Sequence, residues 1–291
     1  LKLFGWFLAA ALIFFVAPGL ADAALVSLEP ASPGQGQPAL VRACLGRDVK
    51  SARVSFLGME IPLLRGKDGC FFGVVAVDIL TKPGTHKLLV FAEGKPAASA
   101  RVIVKPMDYG ERRITVAKKF MSLTPQQLSR HKREIKAQHQ VYDRVTPVRY
   151  WRSAFIKPVP GGVSGTFGRR SIINGEPRNP HGGIDLRGAK GTPVMASGGG
   201  KVALIQDSFF GGQIILIDHG LGLVTAYRHL DKVQVKNGQM VAKGQIIGQV
   251  GMTGRVTGPH LHFDVHLGGA RVDPLAWINI SQVFAKRLAG S

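Results

Sequence analysis

Between Ala24 and Lys105 the apolar residues fall in short runs separated by turn-forming residues. Ala39–Cys44, Ala52–Phe56, Phe71–Val77, Thr85–Phe91 and Arg101–Val104 read as strands. Arg65-Gly66-Lys67-Asp68-Gly69, Lys82-Pro83-Gly84 and Glu93-Gly94-Lys95-Pro96 read as the turns between them. Glycine supplies positive φ and proline lacks the ladder N–H, so such clusters punctuate strands rather than continue them. Strands at this spacing predict a small antiparallel β-sandwich over residues 24–106. The region holds no catalytic constellation, which suits a spacer, binding or inhibitory module.

The pattern changes over residues 107–150. Thr124-Pro125-Gln126-Gln127 combines a capping residue, proline at the first helical position and glutamine three residues after the cap. Leu128, Ile135 and Tyr142 then recur every seven residues, a narrow apolar stripe flanked by Arg130, Lys132, Arg133 and Lys136. This predicts a basic helical linker, either touching an anionic surface or simply solvated. From Trp151 to Ser291 the pattern returns to β, with strands at Gln213–Asp218, Leu223–Arg228, Lys232–Val235, Gln245–Val250 and His260–His266. Asn237-Gly238 and Lys243-Gly244 supply tight turns, and there is little helix signal before Pro274. The expectation is a mainly β protein with a compact all-β domain over residues 151–291, able to fold and act alone.

Charge narrows the partners. Lys and Arg number 38 against 18 acidic residues, a formal net charge of +20. Nucleic acid, anionic lipid and anionic cell-wall polymer would all be attracted. The first residues decide among them. Lys2, the apolar run Leu3–Ala17, then Pro18-Gly19 and Ala21-Asp22-Ala23 read as a signal peptide over residues 1–23. The run is short for a span of about 20 residues, and retention as an N-terminal membrane anchor is the alternative. Either way the body is exported, the periplasm is the expected compartment, and nucleic acid drops out. In that compartment Cys44 and Cys70 suggest one structural disulfide worth about 3 kcal/mol, with two free thiols the alternative.

Nine histidines are present, five of them between His181 and His262. His181-Gly182-Gly183-Ile184-Asp185 sets an imidazole and a carboxylate four apart in a glycine-rich stretch. His260-Leu261-His262 sets two imidazoles two apart, and on a strand such residues share a face. His229 ends another candidate strand. Two histidines and an aspartate are a ligand set for catalytic zinc with one position open, and the remaining histidines suit proton handling or oxyanion contact.

Gly165-Thr166-Phe167-Gly168-Arg169-Arg170, His181-Gly182-Gly183-Ile184-Asp185, Gly191-Thr192-Pro193-Val194, Tyr227-Arg228-His229-Leu230, Gly251-Met252-Thr253-Gly254 and Thr257-Gly258-Pro259-His260-Leu261-His262-Phe263 together resemble the lysostaphin-type zinc peptidoglycan endopeptidases in wording, order and spacing. The likeness covers roughly residues 155–277, and residues 24–105 resemble more loosely the β-rich N-terminal module of some exported members. It implies a duplicated-hybrid-motif catalytic fold, Zn2+ held by His181, Asp185 and His262, and His229 and His260 as non-ligand catalytic histidines. Peptidoglycan is the implied substrate. The implied bond is the D-alanyl–diaminopimelyl cross-link, with the glycine bridge as runner-up. Asp264 departs from the glutamate common at that position and is placed to hydrogen-bond a nearby ring. His266 reads as a partly exposed strand residue, with a group supporting a metal ligand as the alternative, and His219 reads as a turn residue. A non-catalytic wall-binding or amidase-activating relative and a biotinyl- or lipoyl-type carrier domain are the rival readings.

Overall fold

The structure, a computed structural model, describes residues 25–115 and 123–290. The expected signal segment lies outside the described residues. No helix among the described residues is long and apolar enough to cross a membrane.

The N-terminal strands are β1 (Leu25–Glu29), β2 (Pro38–Cys44), β3 (Ala52–Phe56), β4 (Met59–Arg65), β5 (Phe71–Ala76), β6 (Gly84–Ala92) and β7 (Lys95–Val104). They are hydrogen-bonded in the order β1-β2-β5-β4-β3-β6-β7, every pair antiparallel. Only two residue pairs join β4 to β5, and both halves of the sheet bury residues such as Val41, Phe71, Phe56 and Val90 in one core. β4 goes unread in the pattern because Pro62 interrupts it and because its turn from β3 is Leu57-Gly58, both at positive φ, rather than an Asn-Gly pair. Cys44 and Cys70 form the expected disulfide, tying the end of β2 to the start of its neighbour β5.

β8 (Glu111–Ile114) and α1 (Pro125–Tyr142) follow. α1 starts at the expected capping box, with Gln127 N–H donating to Thr124 Oγ1 and the Gln127 side chain accepting from Thr124 N–H. Its buried face is not the expected stripe. Leu128 and Ile135 are 42% and 37% exposed, whereas Glu134, Gln138 and Tyr142, at four-residue spacing, are buried.

The C-terminal strands are β9 (Val163–Gly165), β10 (Arg170–Ile173), β11 (Glu176–Pro177), β12 (Ile184–Arg187), β13 (Pro193–Met195), β14 (Gly200–Ser208), β15 (Gly212–Gly220), β16 (Leu223–Val233), β17 (Met240–Val241), β18 (Ile246–Val250), β19 (His260–Leu267) and β20 (Ala270–Val272). The main path runs β17-β14-β15-β16-β19-β12-β9. A small sheet, β11-β10-β8, takes its parallel edge from the segment ahead of α1. α2 (Pro274–Ala289) closes the chain, capped by Asp273 and ended by Gly290 at positive φ. The all-β expectation for this domain omits the helix, because Trp277, Ile278, Ile280 and Val283 are β-favouring side chains and tertiary burial overrides such preferences.

One hydrophobic core runs through both β regions, including Phe72 and Val75 of β5 and Trp277 and Phe284 of α2. Asp78 also clamps Arg271 of β20, through Nε at 3.0 Å and Nη2 at 2.8 Å. A second apolar cluster, Tyr142 with Ile214, Leu216, Val224 and Ala226, seats α1 on the opposite face of the main sheet.

Candidate metal centre

β19 lies between β12 and β16, with Asp185 and Arg228 both opposite His262. Alternation along β19 puts Leu261, Phe263, Val265 and Leu267 in the core. His260, His262, Asp264 and His266 therefore share the other face. His181 precedes β12 and is held by its Nδ1, which donates to the Thr166 carbonyl at 2.9 Å.

Three atoms converge here. His181 Nε2 lies 3.0 Å from His262 Nδ1 and 3.2 Å from Asp185 Oδ1, and His262 Nδ1 lies 2.9 Å from that same oxygen. The outer nitrogen of each ring faces an acceptor, Thr166 O for His181 and Asp264 Oδ2, at 3.3 Å, for His262. With both ring protons committed outward, all three inner atoms are lone-pair acceptors. Such a cluster calls for a cation. Ligand bonds of 2.0–2.1 Å in a tetrahedral zinc site put donors about 3.3 Å apart, close to the edges of this triangle. These residues and this donor chemistry fit zinc.

Two further imidazoles point at the same space. His260 donates Nδ1–H to Gly258 O at 2.9 Å, and His229 donates Nδ1–H to Thr253 O at 3.0 Å. With Nδ1 so committed, each ring turns Nε2 away from its carbonyl partner, that of His260 lying 3.7 Å from Asp185 Oδ1, and the two rings are 5.0 Å apart. His229 has φ 65°, an uncommon conformation for a non-glycine residue, fixed by its N–H to Gly211 O at 2.8 Å. All five residues singled out in the sequence thus meet at one site.

The profile of peptidase family M23 matches residues 179–274, a segment containing all five. A crystal structure of a protein assigned to peptidase M23 from Pseudomonas aeruginosa superposes with a TM-score of 0.70 at 34% identity, covering 86% of this chain and 96% of that one. The chain belongs to peptidase family M23. It is also similar to the peptidoglycan DD-endopeptidase ShyA of Vibrio cholerae, 45% identical over 33% of this chain and 22% of that protein. The DD-carboxypeptidase/endopeptidase Mpg of Neisseria gonorrhoeae is 40% identical over the same shares. The aligned part of the chain therefore spans about a fifth of the length of these two relatives.

Electrostatics of this M23 site follow from burial and pairing. Burial opposes the charge on Asp185, but the close-lying imidazoles of His181 and His262 outweigh it and hold the carboxyl well below its usual range. For His262, burial is likewise outweighed by Asp185 and Asp264, which raise its pKa. His229 is pushed down to about 4 by burial, helped by the neighbouring His262, so it is neutral at neutral pH. The site opens into a cleft of about 650 Å³ whose walls include Arg112 and Ile114 of β8, Phe210 and Arg255.

Glycine accounts for part of the motif. A Cβ on Gly165 would collide with the Asp185 carboxylate, and one on Gly183 would strike the Phe263 carbonyl oxygen and come within 2.9 Å of His262 Nε2. Two sequence expectations need correction. His219 is a fully buried residue of β15 rather than an open turn, bonded to Gly199 O at 2.8 Å and Thr225 Oγ1 at 2.7 Å. His266 is buried too, stacked on Tyr142 with centroids 3.7 Å apart. Arg228 went unremarked. It is the partly buried partner of Asp264 at 2.7 Å, and the only local signal is a cation beside a candidate catalytic histidine.

Proposed function

We propose that the chain is a zinc-dependent endopeptidase hydrolysing the peptide cross-links of bacterial peptidoglycan. The observation that carries this reading is the acceptor triangle of His181, Asp185 and His262 with two imidazole acceptors beside it on the same face. His181 Nε2, Asp185 Oδ1 and His262 Nδ1 would hold the metal. Bound there, zinc supplies Lewis acidity toward water and the scissile carbonyl.

The remaining steps belong to the chain. His260 and His229 present Nε2 acceptors, so either can take the proton of the attacking water and return it to the leaving amine. An imidazole that has taken a proton becomes the donor that the developing oxyanion needs. Arg112 and Arg255 along the cleft suit a peptide bearing free carboxylates. The D-alanyl–diaminopimelyl bond is favoured over the glycine bridge, since relatives are named for D,D-cleavage. A purely wall-binding role would leave the five-residue constellation without use.

The exposed Lys132, Arg133 and Lys136 of α1 suit an anionic envelope surface, and the disulfide suits the periplasm. The catalytic unit is taken to begin near residue 108, since β8 and α1 pack against it, with residues 24–106 as the N-terminal module. Three variants test the reading. His262→Ala should lose both zinc and activity. His260→Ala and His229→Ala should keep zinc and lose about a hundred- to ten-thousand-fold in turnover. Mass spectrometry of digested sacculi identifies the bond, and full zinc occupancy in His262→Ala would refute the ligand set.

A further inference from the structure

The catalytic face of β19 continues past the metal ligands to Asp264 and His266, and α1 lies over that continuation. Asp264 Oδ2 faces His262 Nε2 at 3.3 Å and accepts from Arg228 Nε at 2.7 Å. The guanidinium of Arg228 has two more partners, both on α1. Its Nη1 donates to Gln138 Oε1 at 3.0 Å and its Nη2 to Tyr142 OH at 2.7 Å. Tyr142 is in turn stacked on His266 at an interplanar angle of 10°.

We infer that α1 is a positioning element of the metal centre, with Tyr142 and Gln138 fixing Arg228, Arg228 fixing Asp264, and Asp264 fixing the ring of His262. The inference rests on the metal reading above. A guanidinium is planar, so three bonds to its three nitrogens fix its orientation as well as its location. Asp264 is then fixed from one side and bonds His262 from the other. That bond fixes the ring orientation of His262, because a half-turn about Cβ–Cγ would put ring carbons where Nδ1 faces Asp185 and Nε2 faces Asp264. Ligating histidines generally depend on such an outer partner. In this protein the outer partner is itself tied to a helix more than a hundred residues away in sequence.

The chemistry of the helix argues against simple packing. Burying Gln138 and the Tyr142 hydroxyl is costly unless they are bonded, and apolar side chains would cover the sheet at less cost. Each commits its side-chain oxygen to Arg228. Gln138 has one further bond, its Nε2 donating to Gln206 Oε1 at 3.0 Å. The same helix supports the cleft wall one turn earlier. There Glu134 accepts from Phe209 N–H at 2.9 Å and the His131 ring meets Phe210 edge-on.

The test uses the full chain and zinc itself. Tyr142→Phe deletes only the hydroxyl and keeps the stack on His266, and Gln138→Leu deletes only the amide. Lys136→Ala, on the exposed side of the same helix, is the control. Zinc affinity is measured by competition with a chromophoric chelator. The visible spectrum of the cobalt-substituted protein reports ligand geometry, and thermal melts report folding. Both positioning variants should bind zinc about tenfold more weakly, the lower end for outer-shell partners, and should shift the cobalt spectrum. Lys136→Ala should do neither. In an Asp264→Asn background, Tyr142→Phe should have no further effect, because one chain of contacts carries both. Lower melting temperatures with unchanged zinc affinity and spectrum would overturn the inference, as would additivity with Asp264→Asn. His262→Ala separates the two levels. If it retains zinc the metal reading falls, whereas zinc lost there but unaffected by Tyr142→Phe and Gln138→Leu sinks only the role of the helix.

Discussion

Gly182 and Gly183 stand side by side between two residues of the acceptor triangle, yet the structure predicts opposite responses to one added methyl group. At Gly182 the nearest atom to a new Cβ is Arg271 Cδ at 3.5 Å, an ordinary contact. At Gly183 the new carbon would overlap the Phe263 carbonyl oxygen and come within 2.9 Å of both Asp264 Cβ and His262 Nε2. The obstacle is backbone of β19, so relief requires β12 and β19 to separate by several tenths of an ångström. Asp185 and His262 pair across that ladder. Overpacking of this kind costs about 1–3 kcal/mol of stability. Displacement of reacting groups approaching 1 Å costs about a hundredfold in rate. Gly183→Ala should therefore fold with a lowered melting temperature, bind zinc poorly and lose about two orders of magnitude in cross-link hydrolysis. Gly182→Ala should stay close to the parent in all three. Zinc content, thermal melts and turnover on purified cross-linked muropeptides decide the matter. Equal behaviour of the two variants, whether both active or both dead, would refute the argument from close approach.

Two more outcomes follow from the packing. A chain beginning at residue 151 lacks β8 and α1, so it should bind zinc more weakly and turn over more slowly than one beginning at residue 108; parity in zinc titration and hydrolysis would contradict this. Acid should destabilise the fold through His219, which burial pushes down to about 4 from an ordinary 6.5. The unfolded chain takes up that proton as pH falls below about 6.5 while the folded one refuses it until about 4. Stability is therefore whole above that window and falls by about 3 kcal/mol across it. Urea midpoints at several pH values should show a shallower acid loss for His219→Gln than for the parent, and equal slopes would remove His219 from the account.

The site was more legible than its supports. His181, Asp185, His229, His260 and His262 are read from residue type and short spacing, and strand alternation alone puts His260 and His262 on one face. β2, β3, β5 and β6 were visible as apolar runs bounded by glycine and proline. What failed to show was burial conferred by distant residues. Glu134 and Gln138 look like solvent positions on a basic helix, because periodicity treats polar side chains as exposed and cannot see Phe209 or Arg228 waiting for them. Leu128 and Ile135 err the other way, apolar residues left outside. His219 and His266 were misread for the same reason: their partners Thr225, Gly199 and Tyr142 become neighbours only through folding.

β19 has no spare positions. Four of its eight side chains fill the core, two are the imidazoles proposed for metal binding and proton transfer, and two join the contacts toward α1. A saturation scan of this strand would accordingly find almost every substitution harmful, on one face through stability and on the other through function. Divergence in substrate preference among descendants of such a protein has to be written elsewhere, in the walls contributed by β8, by the turn around Phe210 and by the loop carrying Arg255. For engineering, the strand is best left untouched and the walls varied, so that new specificities are sought where a changed residue meets substrate before it meets the fold.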